Sequence, residues 1–236
     1  MTNYLEHMQQ LGQGTAFSRR KRYLEYNFYE YLNKLNKHST VLEIGPGTGE
    51  LLSILNEKNI DNIDIIDNDK AVLKYCQKEY KLRKSILSKS LDLTLAVGKQ
   101  KYDLIVLTQV FEHIPKSSYI NWIKCLYASL KPGGYILITV PNGANPLSGT
   151  ERYGDLQHEN MFTIYSFQEL MTFVGINSLD YQVRGFYIPP DNLVQMIRIL
   201  LQKILHTIFI ILMMINGAIY QTLMTPNITL IITKKK

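Results

Sequence analysis

Three glycines and two acids are the residues of this chain whose types and spacing point most directly to chemistry. Gly45, Gly47 and Gly49 follow a short apolar run in the order G-x-G-x-G, and Glu43 precedes the first glycine by two residues. Glycine costs conformational entropy, so three glycines at a strand-to-helix turn indicate left-handed backbone or a ligand lying against bare main chain. In the dinucleotide pattern G-x-G-x-x-G the third glycine comes one residue later, and a carboxylate at Glu43 would repel phosphate but attract a cation. Asp67 ends the next predicted strand, where it could accept both hydroxyls of a ribose, so the pattern indicates a ligand with a ribose, a positive centre and no phosphate.

Two histidines are candidates for proton transfer. His113 follows a predicted strand in the sequence Phe-Glu-His-Ile-Pro, where it acts as a base or shapes the loop. His158 shares a dense ionisable segment with Arg152, Asp155 and Glu159, and its roles are general base, ligand or hydrogen-bonding group, or structure. Asp155, His158 and Glu159 are conceivable metal ligands, but their spacing is not a standard one, so no metal is predicted.

Alternating apolar segments predict the elements that must position these residues, a parallel sheet covered by helices on both faces. The predicted strands are 41–44, 63–66, 86–87, 102–107, 135–140, 178–183 and 227–233, and the predicted helices are 17–37, 50–59, 70–81, 119–130 and 166–174. The glycines of 131–134 suit a left-handed exit that stops the helix before them. Ligands of such sheets bind beyond the carboxyl ends of the strands, so we expect the site in the loops after Ile44, Ile66, Leu107 and Val140.

The sequence Glu43-Ile-Gly-Pro-Gly-Thr-Gly49 resembles motif I of the class I S-adenosylmethionine-dependent methyltransferases. Three further matches follow in family order, and together the four cover residues 41–140: Asp67-Asn-Asp69, the fourth-strand segment 102–115 and the segment 130–139 that leads into the fifth strand. The resemblance implies an α/β, Rossmann-like, doubly wound sheet of about seven strands, mostly parallel with an antiparallel last strand, here with a C-terminal helical excursion. It also implies S-adenosyl-L-methionine as the cofactor.

The resemblance assigns site residues one by one. It implies that the methionine end of the cofactor is lined by Glu43, Gly45, Gly47 and Gly49. The ribose hydroxyls would be taken by Asp67, with Asn68 beside the adenine, and the adenine ring would be contacted by Ser90 and Leu91. Thr108 and Gln109 would face the cofactor from the fourth strand. The segment 152–163 resembles one in a subgroup of glycan-linked methyltransferases, which implies an acceptor site with Arg152, Asp155 and Glu159 and with His158 as base. A Glu-His pair such as that at His113 is common across the family regardless of substrate.

Several functions remain open within this resemblance. The favoured one is O-methylation of a sugar hydroxyl in a surface glycan or lipid-linked saccharide, and the nearest alternative is a quinone-type or other small-molecule O-methyltransferase, some of which use a divalent metal. A non-catalytic binding module of the same fold is a third. The early position of Gly49 disfavours an oxidoreductase.

The chain is predicted to comprise an N-terminal helical cap (1–40), a methyltransferase core (41–190), an apolar helical insertion (191–226), and a final strand with a basic tail (227–236). The apolar residues of 191–220 pack on the core or in a homodimer, lie in a membrane interface, or span a membrane. A span is disfavoured because Asn216-Gly217 interrupts the uncharged run 12 residues after Ile204, short of the roughly 20 residues that spanning needs.

Composition restricts partners and location. The 236 residues carry a net charge of +6, with basic runs at 19–22 and 234–236 that are solvated or meet anionic lipid or a phosphorylated substrate. No nucleic-acid-binding motif accompanies this charge, so no nucleic-acid partner is predicted. Cys76 and Cys125 belong to no CxxC pair, which suits a reducing compartment. The N-terminal residues lack the layout of a signal peptide. We therefore expect a cytoplasmic protein, peripheral to the inner face of the membrane if it touches one.

Overall fold

The computed structural model describes residues 15–88, 101–217 and 221–235. They form one seven-stranded sheet in the order β3-β2-β1-β4-β5-β7-β6. The strands are β1 (Val41–Ile44), β2 (Ile63–Asp67), β3 (Lys84–Leu87), β4 (Tyr102–Thr108), β5 (Leu130–Pro141), β6 (Tyr181–Gly185) and β7 (Asn227–Thr233). The first five pair in parallel, and β7 lies antiparallel between β5 and β6. The predicted fold class is therefore confirmed, including the insertion of the last strand into the sheet.

Helices cover both faces of the sheet. They are α1 (Thr15–Asn27), α2 (Tyr29–Leu32), α3 (Glu50–Glu57), α4 (Lys70–Glu79), α5 (Tyr119–Ala128), α6 (Gly149–Tyr153), α7 (Ile164–Val174) and α8 (Leu193–Ile215). Two clusters of buried residues result, one beneath α1, α3 and α4 and the other beneath α5 and α7. Because β1 is buried throughout between β2 and β4, its carboxyl end holds the glycine turn at the middle of the sheet.

The helix predicted over 17–37 is wrong in its extent, because the chain breaks at Phe28 into α1 and α2. Phe28 is fully buried and meets the Phe186 ring edge-on at 6.1 Å. The side-chain amide of Asn27 donates to the carbonyl oxygens of Tyr23 and Tyr187. These contacts with the segment after β6 determine the break, and local helical periodicity does not report them.

Two other boundaries differ from the prediction. Helix α5 ends at Ala128 and β5 begins at Leu130, so 131–134 belongs to the strand rather than to a helix stop. A register shift there accommodates Gly133, whose amide donates to the carbonyl of Lys234. The strand predicted to begin at residue 178 starts at Tyr181, since the Asn177 side chain caps a 3₁₀ turn by accepting from the Leu179 amide at 2.9 Å.

The argument from length against a membrane span does not hold, although a helix does lie within the predicted excursion over 191–226. Helix α8 has 23 residues and a mean hydropathy of 1.8, and 6% of its most apolar window is buried. It begins well before Ile204 and includes Arg198 and Lys203, so by length and composition alone it could cross a membrane. The interruption at Asn216-Gly217 is present, because α8 ends there and Gly217 has φ +71°.

Candidate functional site

A cavity of about 730 Å³ opens at the carboxyl ends of β1, β2 and β4. This volume lies within the usual range for a small-molecule site. Nine of the predicted site residues line the cavity: Glu43, Gly45, Gly47, Asp67, Asn68, Thr108, Gln109, His113 and Asp155. Ser90 and Leu91 fall outside the described residues. The cavity lies at three of the four loops where the site is expected, those after Ile44, Ile66 and Leu107, whereas no residue of 141–149 lines it. That a ligand binds there stays a prediction.

The three glycines of the turn after β1 serve different purposes. A Cβ at Gly47, which has φ +54°, would meet nothing within 4 Å, so its backbone faces open space that a ligand can enter. A Cβ at Gly49, which has φ +84°, would lie 2.2 Å from the Tyr80 ring. Gly49 does not line the cavity, and its lack of a side chain accommodates a protein ring. Gly45 lines the cavity but likewise leaves room for Val110, which a Cβ there would approach to 2.4 Å.

Glu43 presents an uncompensated carboxyl group to the cavity. It is 5% exposed, and its Oε2 atom has no hydrogen-bond partner within the described ranges. Burial raises the pKa of Glu43 well above its usual range, and the carboxylates of Glu50 and Asp67 raise it further. Because burying an ionised carboxylate is costly unless it is paired, a cationic ligand group beside Glu43 would relieve that cost.

Asp67 and Asn68 follow at the end of β2. The Oδ1 atom of Asp67 accepts from the amide of Asp69 at 2.8 Å, which fixes the carboxyl group against the turn. Asp69 in turn caps α4 by accepting from the Ala71 amide at 2.7 Å. Burial raises the pKa of Asp67 to about 6. The arrangement leaves a carboxyl group at the cavity wall that can accept hydroxyl hydrogen bonds when ionised.

The end of β4 supplies the opposite wall. Gln109 has φ +56°, an uncommon conformation for a residue other than glycine, and its amide Nε2 donates to Asn227 Oδ1 at 3.2 Å. The Thr108 hydroxyl is buried without a partner among the described residues. Strained backbone beside an unpaired polar group at a cavity is typical of a functional site.

His113 lines the cavity next to His158. The His113 Nδ1 atom lies 3.2 Å from the carbonyl oxygen of Gln157, and the two imidazole centroids are 4.7 Å apart. Burial lowers the pKa of His113, with a smaller contribution from His158. His158 does not itself line the cavity; its Nε2 is 3.9 Å from Asp155 Oδ2, and its buried Nδ1 has no partner in the described part of the chain.

Glu112 is a buried acid that the sequence did not single out. It is fully buried, and neither carboxyl oxygen finds a partner among the residues described. Burial raises the pKa of Glu112 to about 8, and Asp155 adds to the shift. Ligand atoms of Glu112, His113 and His158 lie within 4.8 Å of one another, a grouping that could hold a metal ion. This set differs from the Asp155, His158 and Glu159 set considered from the sequence.

Two predicted acceptor residues lie outside the cavity wall. Arg152 is exposed on α6, where its guanidinium lies over the neighbouring Tyr153 ring at 5.4 Å. Glu159 is exposed too, and its backbone amide donates to the carbonyl of Glu112 at 2.9 Å. That bond ties the 155–160 segment to the loop after β4 and brings His158 to His113.

Helix α1 forms a wall that the sequence did not assign to the site. Arg19, Arg20, Tyr23 and Leu24 line the cavity, at spacings that place Arg20, Tyr23 and Leu24 on one helical face. Arg20 donates to Glu50 Oε1 at 2.5 Å and to Thr48 Oγ1 at 3.1 Å, which fastens α1 over the glycine turn. That helical spacing is the signal that could have identified this wall.

Most residues of the basic run at 19–22 form ion pairs or hydrogen bonds with other parts of the protein. Lys21 contacts Glu57 at 2.6 Å, and Arg22 pairs with Asp191 and with the carbonyl oxygen of Pro190. Arg20 pairs with Glu50, so three of the four cations of the run attach α1 to the rest of the molecule.

A family model for methyltransferase domains matches residues 16–179. Among solved structures, a SAM-dependent methyltransferase from Archaeoglobus fulgidus is 16% identical, covers 98% of this chain and 99% of its own, and has a TM-score of 0.67. The plantazolicin methyltransferase BpumL in complex with SAH is 18% identical, with coverages of 99% and 89% and a TM-score of 0.60. A TehB-like SAM-dependent methyltransferase from Corynebacterium glutamicum is 12% identical, with coverages of 98% and 94% and a TM-score of 0.54. A search of curated proteins finds no match.

Proposed function

Since this chain belongs to the class I S-adenosylmethionine-dependent methyltransferase family and is a methyltransferase by that membership, we propose that its acceptor is a sugar hydroxyl in a surface glycan or a lipid-linked saccharide. S-adenosylmethionine, when bound, supplies an electrophilic methyl group on a positively charged sulfur. A hydroxyl is a weak nucleophile at neutral pH and gains about 10²–10⁴-fold from a positioned base. The observation that carries the proposal is the pair of half-buried imidazoles, His113 at the cavity wall and His158 packed against it.

The cavity residues fit this cofactor. We assign Glu43 to the cationic methionine end, because its buried oxygen has no other partner in the described residues. The open backbone at Gly47 leaves room for the chain of the ligand. Asp67 is assigned to the ribose hydroxyls, with Asn68 beside it at the cavity wall. Thr108 and Gln109 complete the wall from β4.

We assign proton transfer to His113 and its positioning to His158. The Gln157 carbonyl can only accept, so His113 Nδ1 donates to it and the lone pair resides on Nε2. The lowered pKa keeps this imidazole neutral at physiological pH, as a base requires. The His158 ring lies 4.7 Å from that of His113 and limits its rotation. Asp155 and Gln157 line the cavity nearby, where they can contact a polar acceptor.

One observation favours a second acceptor class, a quinone-type small molecule. The Glu112, His113 and His158 grouping could hold a divalent cation, and a cation there would bind a phenolic oxygen. In that case His113 would be a ligand rather than a base. Removal of metal therefore separates the two candidates.

The reaction takes place in the cytoplasm under this proposal. The two cysteines support this location, because they form no disulfide within the described ranges and free cysteines suit a reducing compartment. The acceptor is a saccharide in the first candidate and a small molecule in the second.

The test supplies the enzyme with methyl-labelled cofactor and with separated polysaccharide, lipid-linked saccharide and quinone fractions, with and without chelator. We expect label in a saccharide fraction as an alkali-stable methyl ether, unaffected by chelator. We also expect His113→Ala to lower turnover by about 10²–10⁴-fold at unchanged cofactor affinity. Chelator-sensitive labelling of the quinone fraction would support the second candidate instead. Cofactor binding without any labelling would favour the non-catalytic module.

A further inference from the structure

Helix α8 turns a continuous apolar face away from the protein. Its inward side is mixed: His206 is buried there and Gln195 and Gln202 are half-buried, beside the half-buried apolar residues Ile199, Phe209, Ile210 and Met213. The opposite face is apolar along the whole helix and consists of Leu193, Ile197, Leu201, Ile204, Ile208, Leu212 and Ile215. Ile208, the least exposed of these seven, is still 46% exposed. Surface helices of soluble proteins normally turn their apolar stripe inward, so this outward face is suited to an apolar environment.

Both ends of α8 are attached to the core, so the helix lies along the molecule. At its start, Arg22 pairs with Asp191, and Arg198 donates to the carbonyl oxygen of Ile188 at 3.3 Å. After its end, Gln221 is 8% exposed, and the Asn142 side chain donates to the carbonyl of Leu223 at 2.9 Å. Five residue steps join Asn216 to Gln221, a distance of at most about 18 Å.

A helix held in this way cannot cross a bilayer, although its 23 residues reach about 34 Å. A crossing would carry one end to the far side of the hydrocarbon layer, about 30 Å away, and the short return segment could not reach the core from there. The length of α8 therefore lies parallel to whatever surface its outward face meets.

Charge distinguishes a lipid surface from a second copy of the chain. Arg198 and Lys203 are exposed and lie on opposite flanks of the inward side, at the two borders of the apolar face. No acidic residue follows Asp191 in the sequence. A second copy of this face would bring cations against cations, with no acid on either helix to pair with them. Anionic headgroups complement both cations, whose stems can extend from the apolar boundary toward the phosphate layer.

We propose that α8 docks flat on a membrane surface containing anionic lipid, with its outward apolar face in the boundary between headgroups and acyl chains. Ile188 lines the cavity, and its carbonyl oxygen accepts a hydrogen bond from Arg198 of α8 at 3.3 Å. Docking therefore brings the mouth of the cavity next to the lipid surface. This surface is separate from the transfer chemistry and does not depend on the identity of the acceptor.

The test measures co-sedimentation of the full-length protein with vesicles of phosphatidylcholine, with and without phosphatidylglycerol. We expect binding to vesicles that contain phosphatidylglycerol and weaker binding to phosphatidylcholine alone. The double variant Leu201→Glu/Ile208→Glu should lower the partition coefficient by about tenfold or more. Arg198→Gln/Lys203→Gln should reduce the preference for phosphatidylglycerol and its sensitivity to salt.

The matched control is Phe173→Glu/Leu179→Glu, which changes two exposed apolar residues, 62% and 84% exposed, in α7 and in the turn before β6. Both precede the amino end of β6, whereas α8 follows its carboxyl end. It should bind vesicles like the wild type, and all variants should bind S-adenosylhomocysteine, which verifies their fold. Failure of the folded wild type to bind either vesicle would overturn the proposal. A solution dimer that Leu201→Glu/Ile208→Glu dissociates, without vesicle binding, would instead identify the face as a contact between two copies. Equal loss of binding in the control would also overturn it.

Discussion

At the scale of single residues, Asp67 links the site to pH. Burial raises its pKa to about 6, so the carboxyl group is largely ionised at pH 7 and takes up a proton as the pH falls below 6. A protonated carboxyl group accepts hydrogen bonds poorly, so the affinity for S-adenosylhomocysteine should fall as the pH decreases through about 6. Calorimetric titrations between pH 5 and 8 measure this dependence.

The control is Asp67→Asn, which should bind the ligand weakly across the range and lack the step near pH 6. In the ligand-free protein, by contrast, the contribution of Asp67 to the free energy of unfolding should be larger at low pH. A carboxyl group whose pKa is higher in the folded than in the unfolded state binds its proton more tightly when folded, so its contribution to the free energy of unfolding decreases as the pH rises from about 4 to about 6. An affinity that does not change with pH in the wild type would contradict the assignment of Asp67 to the ribose.

At the scale of elements, two glycines of the turn between β1 and α3 serve different properties: Gly47 serves ligand binding and Gly49 serves the stability of the fold. Gly47→Ala puts a methyl group into open space at φ +54°, so it should cost about 1–2 kcal/mol of unfolding free energy and strongly weaken ligand binding. Gly49→Ala strains a residue at φ +84° and also strikes the Tyr80 ring, so it should destabilise the fold by more. Denaturant unfolding and calorimetry on both variants test the contrast. A larger loss of stability in Gly47→Ala than in Gly49→Ala would contradict it.

The sequence predicted much of this architecture, because its signals are local. Val41–Ile44 and Asn227–Thr233 are strands at the predicted residues, and the turns after β1 and β2 line the cavity as expected. The contact of Gly49 with Tyr80 joins residues far apart in the chain, so spacing alone could not report it. The same is true of Arg20 over the glycine turn and of Glu112 beside His158, which depend on how helices and loops meet.

At the scale of the whole molecule, α8 lies outside the sheet that carries the site. Strands β6 and β7 pair directly, with Gly185 opposite Ile228, so the chain leaves and re-enters the sheet at neighbouring points. Among the residues of α8 only His206 is buried, where its Nδ1 atom lies 3.1 Å from the Tyr187 hydroxyl. The division of the chain into a core and an insertion over 191–226 stays a prediction, which excision of α8 can test.

Replacing 193–217 with a flexible Gly-Ser linker of about 15 residues, which spans about 20 Å on average, should leave the sheet and the cavity intact. Tyr187 would lose its partner on α8, at a cost of about 1 kcal/mol, whereas Ile188 and Asn227 would keep their places at the cavity. We expect the excised protein to bind S-adenosylhomocysteine with little change and to lose its affinity for anionic vesicles. Calorimetry, thermal unfolding and vesicle sedimentation measure the three properties on one preparation. Unfolding of the excised protein, or loss of ligand binding, would show that α8 supports the fold of the core, because a peripheral helix can be removed without disturbing the residues that line the site.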